Sequence, residues 1–157
     1  MTPTGLRALS RELSHSWHEL GGVLASRRLQ ATMHTGTASR MSPTKLRALD
    51  ILAEGNVRVG ELADRIGFDD TTATRLVDRL EATGLVERRQ LPSDRRVTVV
   101  GLTTEGTALV EQVAARRQRF FADVLAALEP DEQIELVRLT AKAAQSLRTR
   151  SEELLTR

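Results

Sequence analysis

Near the start of the chain the apolar positions Leu6, Leu9, Leu13, Trp17, Leu20 and Leu24 recur every three or four residues. That period lays one stripe along one helix face and predicts a long first helix over residues 4–31, with Gly21-Gly22 as a point of bending or close approach. Residues 34–41, HTGTASRM, read as a loop. Ser42-Pro43 is a helix start, an N-cap followed by proline at the first helical position. Leu46, Leu49, Ile51 and Leu52 then mark a short helix ending near Gly55. Val57-Arg58-Val59 predicts a minimal strand, and residues 60–66 a helix with Leu62, Ala63 and Ile66 inward. Asp69 caps the next helix, whose inner side is Leu76, Val77 and Leu80 and whose left-handed stop is Gly84. Residues 85–90 and 97–102 are strand-like, with Pro92-Ser93-Asp94 as their turn. Thr103 or Thr104 caps a long helix to about Leu128. Pro130, followed by acids in the first turn, opens the last helix.

The elements therefore predict a mainly α chain with a small β-hairpin wing. A short helix, a glycine stop and an arginine-tipped hairpin form the layout of a winged helix. Such a helix enters the major groove of DNA while the hairpin reaches the adjacent minor groove or backbone. Residues 42–103 can build a small core and read as a winged helix-turn-helix DNA-binding lobe. The helix and loop of 1–41 and the helices of 104–157 carry more apolar surface than lone helices can hide. They predict a helical dimerisation bundle built from both chain ends, completed by a second copy. Packing within one chain is the alternative.

Composition removes several function classes. The aromatics are Trp17, Phe68, Phe120 and Phe121, with no tyrosine. That is poor material for base stacking, so single-strand and RNA modules are disfavoured. With no cysteine, the chain has no disulfide, thiolate metal site or thiol switch. No long apolar run opens it, so neither a signal peptide nor a membrane span is expected and the cytoplasm is the default location. There is no nucleophile elbow, phosphate loop or dinucleotide fingerprint, so no enzyme and no cofactor are expected. His15 and His18 have a spacing that can hold a metal, yet lack further ligands and read as ordinary helix histidines.

Charge adds less than the isoelectric point suggests. The net charge is +2. Residues 69–96 hold six arginines and six acids, so the segment is neutral in sum. What matters is which face the arginines occupy. Thr72, Thr74 and Arg75 lie in the first turns of the recognition helix, with Thr71 beside them. Threonine can bond base edges or phosphates, and arginine can fork onto guanine. Arg79 is placed to reach a phosphate or to pair with Asp78 or Glu87. Arg88 and Arg89, successive on a strand, face opposite sides, so one of them is expected to meet DNA or Asp94. Asp70 has no evident role beside a phosphate backbone. Arg95 and Arg96 tip the hairpin.

Four stretches carry a resemblance. ELADRIG (61–67), TTATRLVDRLEATGLVERR (71–89), SDRRVTVVGLTTEG (93–106) and LEPDEQIEL (128–136) resemble the MarR family of winged-helix regulators. The resemblance implies a cytoplasmic homodimer on a pseudo-palindromic DNA duplex, usually a repressor. It implies that Asp94 braces an arginine and that Arg95 or Arg96 enters the minor groove, where a narrow A·T-rich groove attracts arginine by shape. It also implies release by a small, often aromatic or phenolic, compound bound between the dimer helices and the DNA-binding lobe. Trp17, His18, Leu46 and Asp50 are the candidates for that pocket. Arg58 departs from the family, which often places a small hydroxyl residue there as a helix cap. The competing reading is a winged helix used only for protein contacts.

Overall fold

The structure, a computed structural model, describes residues 3–33, 36, 38, 41–91 and 94–155. Its elements are α1 (Pro3–Ala25), α2 (Arg27–Met33), α3 (Pro43–Ala53), α4 (Val59–Ile66), α5 (Asp70–Glu81), β1 (Val86–Leu91), β2 (Asp94–Leu102), α6 (Thr104–Leu125) and α7 (Pro130–Leu155). The chain divides into two compact units, Met1–Arg116 and Arg117–Arg157.

The single first helix expected over 4–31 is two helices. The break is at Ser26, beyond the glycine pair. The Ser26 hydroxyl accepts from the Leu29 amide at 3.4 Å, which makes it the cap of α2. The Gln30 side chain donates to the Leu24 carbonyl at 2.7 Å and satisfies the end of α1. Two local side-chain bonds thus replace helical continuity.

The core of the first unit lies where α3, α4, α5, the hairpin and the start of α6 meet. Leu49, Leu62, Leu80, Val77, Val86 and Val100 are its largest fully buried side chains. Leu109 and Val113 bring the first turns of α6 into the same cluster. Caps set the element bounds. Ser42 accepts from the Lys45 amide with Pro43 at the first helical position. Arg58 makes no side-chain cap bond to α4. Gly84, at φ 72°, supplies the left-handed turn between α5 and the wing. The minimal strand expected at 57–59 is a single bridge, Val57 to Val100.

β1 and β2 pair antiparallel, from Val86 opposite Leu102 to Gln90 opposite Thr98, with a register shift before Leu91. The turn expected at Pro92-Ser93-Asp94 falls partly outside the described residues, as does most of the expected 34–41 loop. At the base of the wing Thr103 joins three segments. Its hydroxyl donates to the Gly84 carbonyl at 2.6 Å and accepts from the Gly106 amide at 3.0 Å, while its own amide donates to Leu85 at 3.1 Å. One residue ties the end of α5, the start of β1 and the first turn of α6.

In the second unit, Pro130 begins α7 after Glu132 has reached back to the Glu129 amide at 3.0 Å, a capping-box bond. Most of α7 is exposed, including Ile134, Val137, Leu147 and Leu154.

Candidate nucleic-acid interface

Helix α5 is fixed at its first turn by Asp69. The carboxylate accepts from the Thr72 hydroxyl at 2.7 Å and from the Thr72 amide at 2.9 Å. These bonds, the hydroxyl's first, hold the Asp69 carboxyl below the usual carboxylate range. Ala73, Leu76, Val77 and Leu80 are the buried side. Helical periodicity then sets Thr71, Arg75 and Asp78 on the opposite, outward face. Thr72 and Arg79 fall on one flank, Thr74 and Glu81 on the other.

The three threonines are not equivalent. Thr72 donates its hydroxyl proton to Asp69, and Thr74 donates to the Asp70 carbonyl at 2.7 Å. Both retain only lone pairs for another partner. The Thr71 hydroxyl has no partner among the described residues, so it is the one free to donate outward.

The wing is braced against α5 by Arg88. Its guanidinium bonds Asp78 at 2.6 Å and also Glu81, and its amide donates to Glu81 at 3.3 Å. The bond to Asp78 leads in holding Arg88 above its ordinary pKa, with the Glu81 charge adding to it against a desolvation cost. Arg89 pairs with Glu87 and donates to the Leu102 carbonyl at 3.4 Å. The expected alternation along the strand holds, but each of the two arginines has an acid of its own. Arg88 in particular is turned to α5 rather than to a free surface. Asp94 braces Arg96 through the backbone, accepting from its amide at 3.0 Å. The side chain of Arg95 lies outside the described residues. Arg88→Ala is expected to leave helix content intact and to speed amide exchange across β1 and β2, because two acids on α5 lose their tether. Unchanged exchange at Arg89 and Val99 would show that the sheet bonds alone hold the wing.

These pairings resolve the neutral charge of the segment. Asp78 and Glu81 belong to Arg88, Glu87 to Arg89, Asp69 to the α5 cap and Asp94 to the wing backbone. Arg75, Arg79 and the Arg96 side chain have no ion pair among the described residues. Arg79, which could have paired with Asp78 or Glu87, finds both acids engaged. Asp70 has an account as well. Its carboxylate lies 3.6 Å from where a side chain would begin on Gly60, in the first turn of α4. A carboxylate near a positive helix end is favourable, and Arg58 leaves that end uncapped.

A cleft of about 330 Å³ separates the start of α3 from α5, lined by Ser42, Thr44, Lys45, Phe68, Thr72, Arg75, Leu76 and Arg79. Lys45 was not singled out by the sequence. The signal was present, since Ser42-Pro43 places Lys45 in the first turn of a helix. A second cleft of similar volume, between the end of α3 and α6, is lined by Leu52, Ala53, Asn56, Leu102, Thr107, Val110 and Glu111. The four residues proposed for an effector line neither. Trp17 and His18 are exposed on different sides of α1, Leu46 packs at the core edge, and Asp50 is half-buried.

The MarR family model matches residues 41–98, which include α3, α4, α5, the cleft between α3 and α5, and most of the wing. The HTH-type transcriptional repressor MdtR of Bacillus subtilis is 34% identical over 110 residues, covering 69% of this chain and 71% of that protein. The chain belongs to the MarR family. It is a DNA-binding transcriptional regulator of that family and not an enzyme. A MarR family protein from Bacillus stearothermophilus has the same fold, with TM-score 0.74 and 29% identity over 94% of this chain and 99% of the other. Streptococcus pneumoniae FabT, solved in complex with DNA, shares the fold at TM-score 0.69 and 17% identity, over 95% of this chain and 99% of its own. Among the described residues no helix is long and apolar enough to cross a membrane.

Proposed function

We propose that this MarR protein acts in the cytoplasm as a homodimeric repressor on a pseudo-palindromic duplex. Helix α5 lies in the major groove and the wing in the adjacent minor groove. Thr71, Thr72, Thr74, Arg75 and Arg79 contact DNA from α5, and Arg95 and Arg96 from the wing tip. Arg88 and Asp94 hold the wing in place. The observation that carries this reading is the sorting of charge: the acids are consumed internally, and Arg75, Arg79 and Arg96 are left uncompensated on one functional segment. A purely protein-binding winged helix has no need of that sorting.

Residues 42–103 serve as the DNA-binding lobe, with 1–41 and 104–157 supplying the dimer helices. Leu6, Leu9, Leu13, Trp17 and Leu20 are each more than half exposed along one face of α1, and on α7 Ile134, Val137, Leu147 and Leu154 are each more than half exposed. Patches of that kind mark an interaction surface. The name of MdtR supports a repressor. Release by a small aromatic or phenolic compound fits the cleft between α3 and α6, where Leu52, Leu102 and Val110 give apolar walls and Asn56, Thr107 and Glu111 polar ones.

Selection of duplexes from a random pool tests the reading. A two-fold-related motif, half-sites about one helical turn apart, is the expected product of a dimer. Leu13 is 64% exposed, so Leu13→Asp spares the core of the single chain. It is expected to give a monomer by light scattering and to abolish selection. Enrichment of no sequence at low salt would transfer the protein to the protein-contact reading.

A further inference from the structure

We infer that the cleft between the start of α3 and the flank of α5 is a seat for the DNA sugar–phosphate backbone, with Lys45 as its anchoring cation. The inference rests on the DNA-binding reading and extends the interface to a helix outside the recognition helix and wing.

Three cations, Lys45, Arg75 and Arg79, converge on this cleft, and no acid lines it. None of the three has an ion pair among the described residues. Three other arginines of the lobe, by contrast, are supplied with acids: Arg65 with Glu54, Arg88 with Asp78 and Glu81, Arg89 with Glu87. Like charges gathered around one open space without a counter-charge raise its potential and favour an anion there.

The other groups narrow the anion to a sugar phosphate. Ser42 accepts the Lys45 amide, so its hydroxyl proton remains available to a phosphate oxygen. The Thr44 hydroxyl has no partner among the described residues. The eleven-residue α3 points its positive end at the same place. Phe68, 36% exposed, and Leu76 add an apolar wall. A free inorganic anion has no use for that wall, whereas a deoxyribose ring does. The arrangement also divides labour along α5. Arg75 is on the outward face and can reach base edges. Arg79, on the flank toward α3, faces the backbone with Lys45.

The test uses the full-length protein and a duplex chosen by the random-pool selection, beside a scrambled duplex of equal length. Affinities are followed by fluorescence anisotropy from 50 to 200 mM salt. Lys45→Ala is expected to weaken both duplexes by the same factor and to flatten log K against log salt by about 0.9, the loss of one phosphate contact. Lys45→Arg is expected to restore the slope. Arg79→Ala repeats the pattern if Lys45→Ala fails to fold. A wild-type slope in folded Lys45→Ala and Arg79→Ala overturns the seat while leaving DNA binding intact. A loss confined to the selected duplex overturns it too, since a backbone contact carries no sequence. Saturation of the cleft by millimolar inorganic phosphate, with unchanged DNA slopes in the variants, would make it a small-anion site instead. Failure of the wild type to bind either duplex at 50 mM salt would remove the DNA-binding reading itself.

Discussion

Gly106→Ala is expected to lower the thermal midpoint by about 10 °C, from a loss of about 3 kcal/mol. Helix propensity alone predicts the opposite sign, a gain of about 0.5–1 kcal/mol for alanine over glycine inside a helix. The surroundings decide. A Cβ on Gly106 would fall far inside van der Waals contact with the Leu85 carbonyl oxygen and 3.0 Å from its carbon. These are backbone atoms, and the Leu85 carbonyl already accepts from Thr103. It cannot turn aside without breaking the junction that Thr103 makes with Gly84 and Gly106. Circular dichroism against temperature measures the shift. A midpoint at or above that of the wild type would mean that α6 is not seated on the base of the wing as described.

Arg75→Ala and Arg96→Ala are each expected to weaken binding to the selected duplex by about ten- to a hundredfold, or 1–3 kcal/mol. The two losses differ in kind. Without Arg75 one position of the half-site becomes permissive, because a forked arginine distinguishes guanine from the other bases. Without Arg96 the preference for an A·T-rich flank falls, because groove width is what the wing arginine senses. Both side chains are exposed and lack ion pairs among the described residues, so neither change touches the core. Melting temperature and light scattering should match the wild type. Unchanged affinity in both variants would sink the assignment of these contacts.

Local chemistry made much of this fold legible. Ser42-Pro43, Asp69, Gly84 and Pro130 each mark an element boundary through a cap or a fixed backbone angle, and each functions so in the structure. The split of the first helix was not legible, because the serine–leucine and glutamine–carbonyl bonds around Ser26 leave the apolar period undisturbed. The role of Arg88 was hidden for a different reason. Its partners Asp78 and Glu81 are ten and seven residues earlier, on a helix whose angle to the wing no local pattern specifies. Summed charge concealed the candidate interface for the same cause: six acids and six arginines cancel on paper, and only their placement shows that the acids serve the scaffold. No local pattern ties Lys45 to the recognition helix, because its helix precedes the helix-turn-helix in sequence but meets α5 in space. No pattern joined Trp17, His18, Leu46 and Asp50, and their grouping as a pocket came from resemblance alone.

The apolar seams of α1 and α7 carry a consequence in mass action. If a second copy covers them, folding and association are linked, and the stability of one chain has no single value. The thermal midpoint should climb with protein concentration. An operator that holds two lobes together then adds its binding energy to the same equilibrium. At the copy numbers typical of a regulator, the DNA site would help to keep intact the protein that reads it.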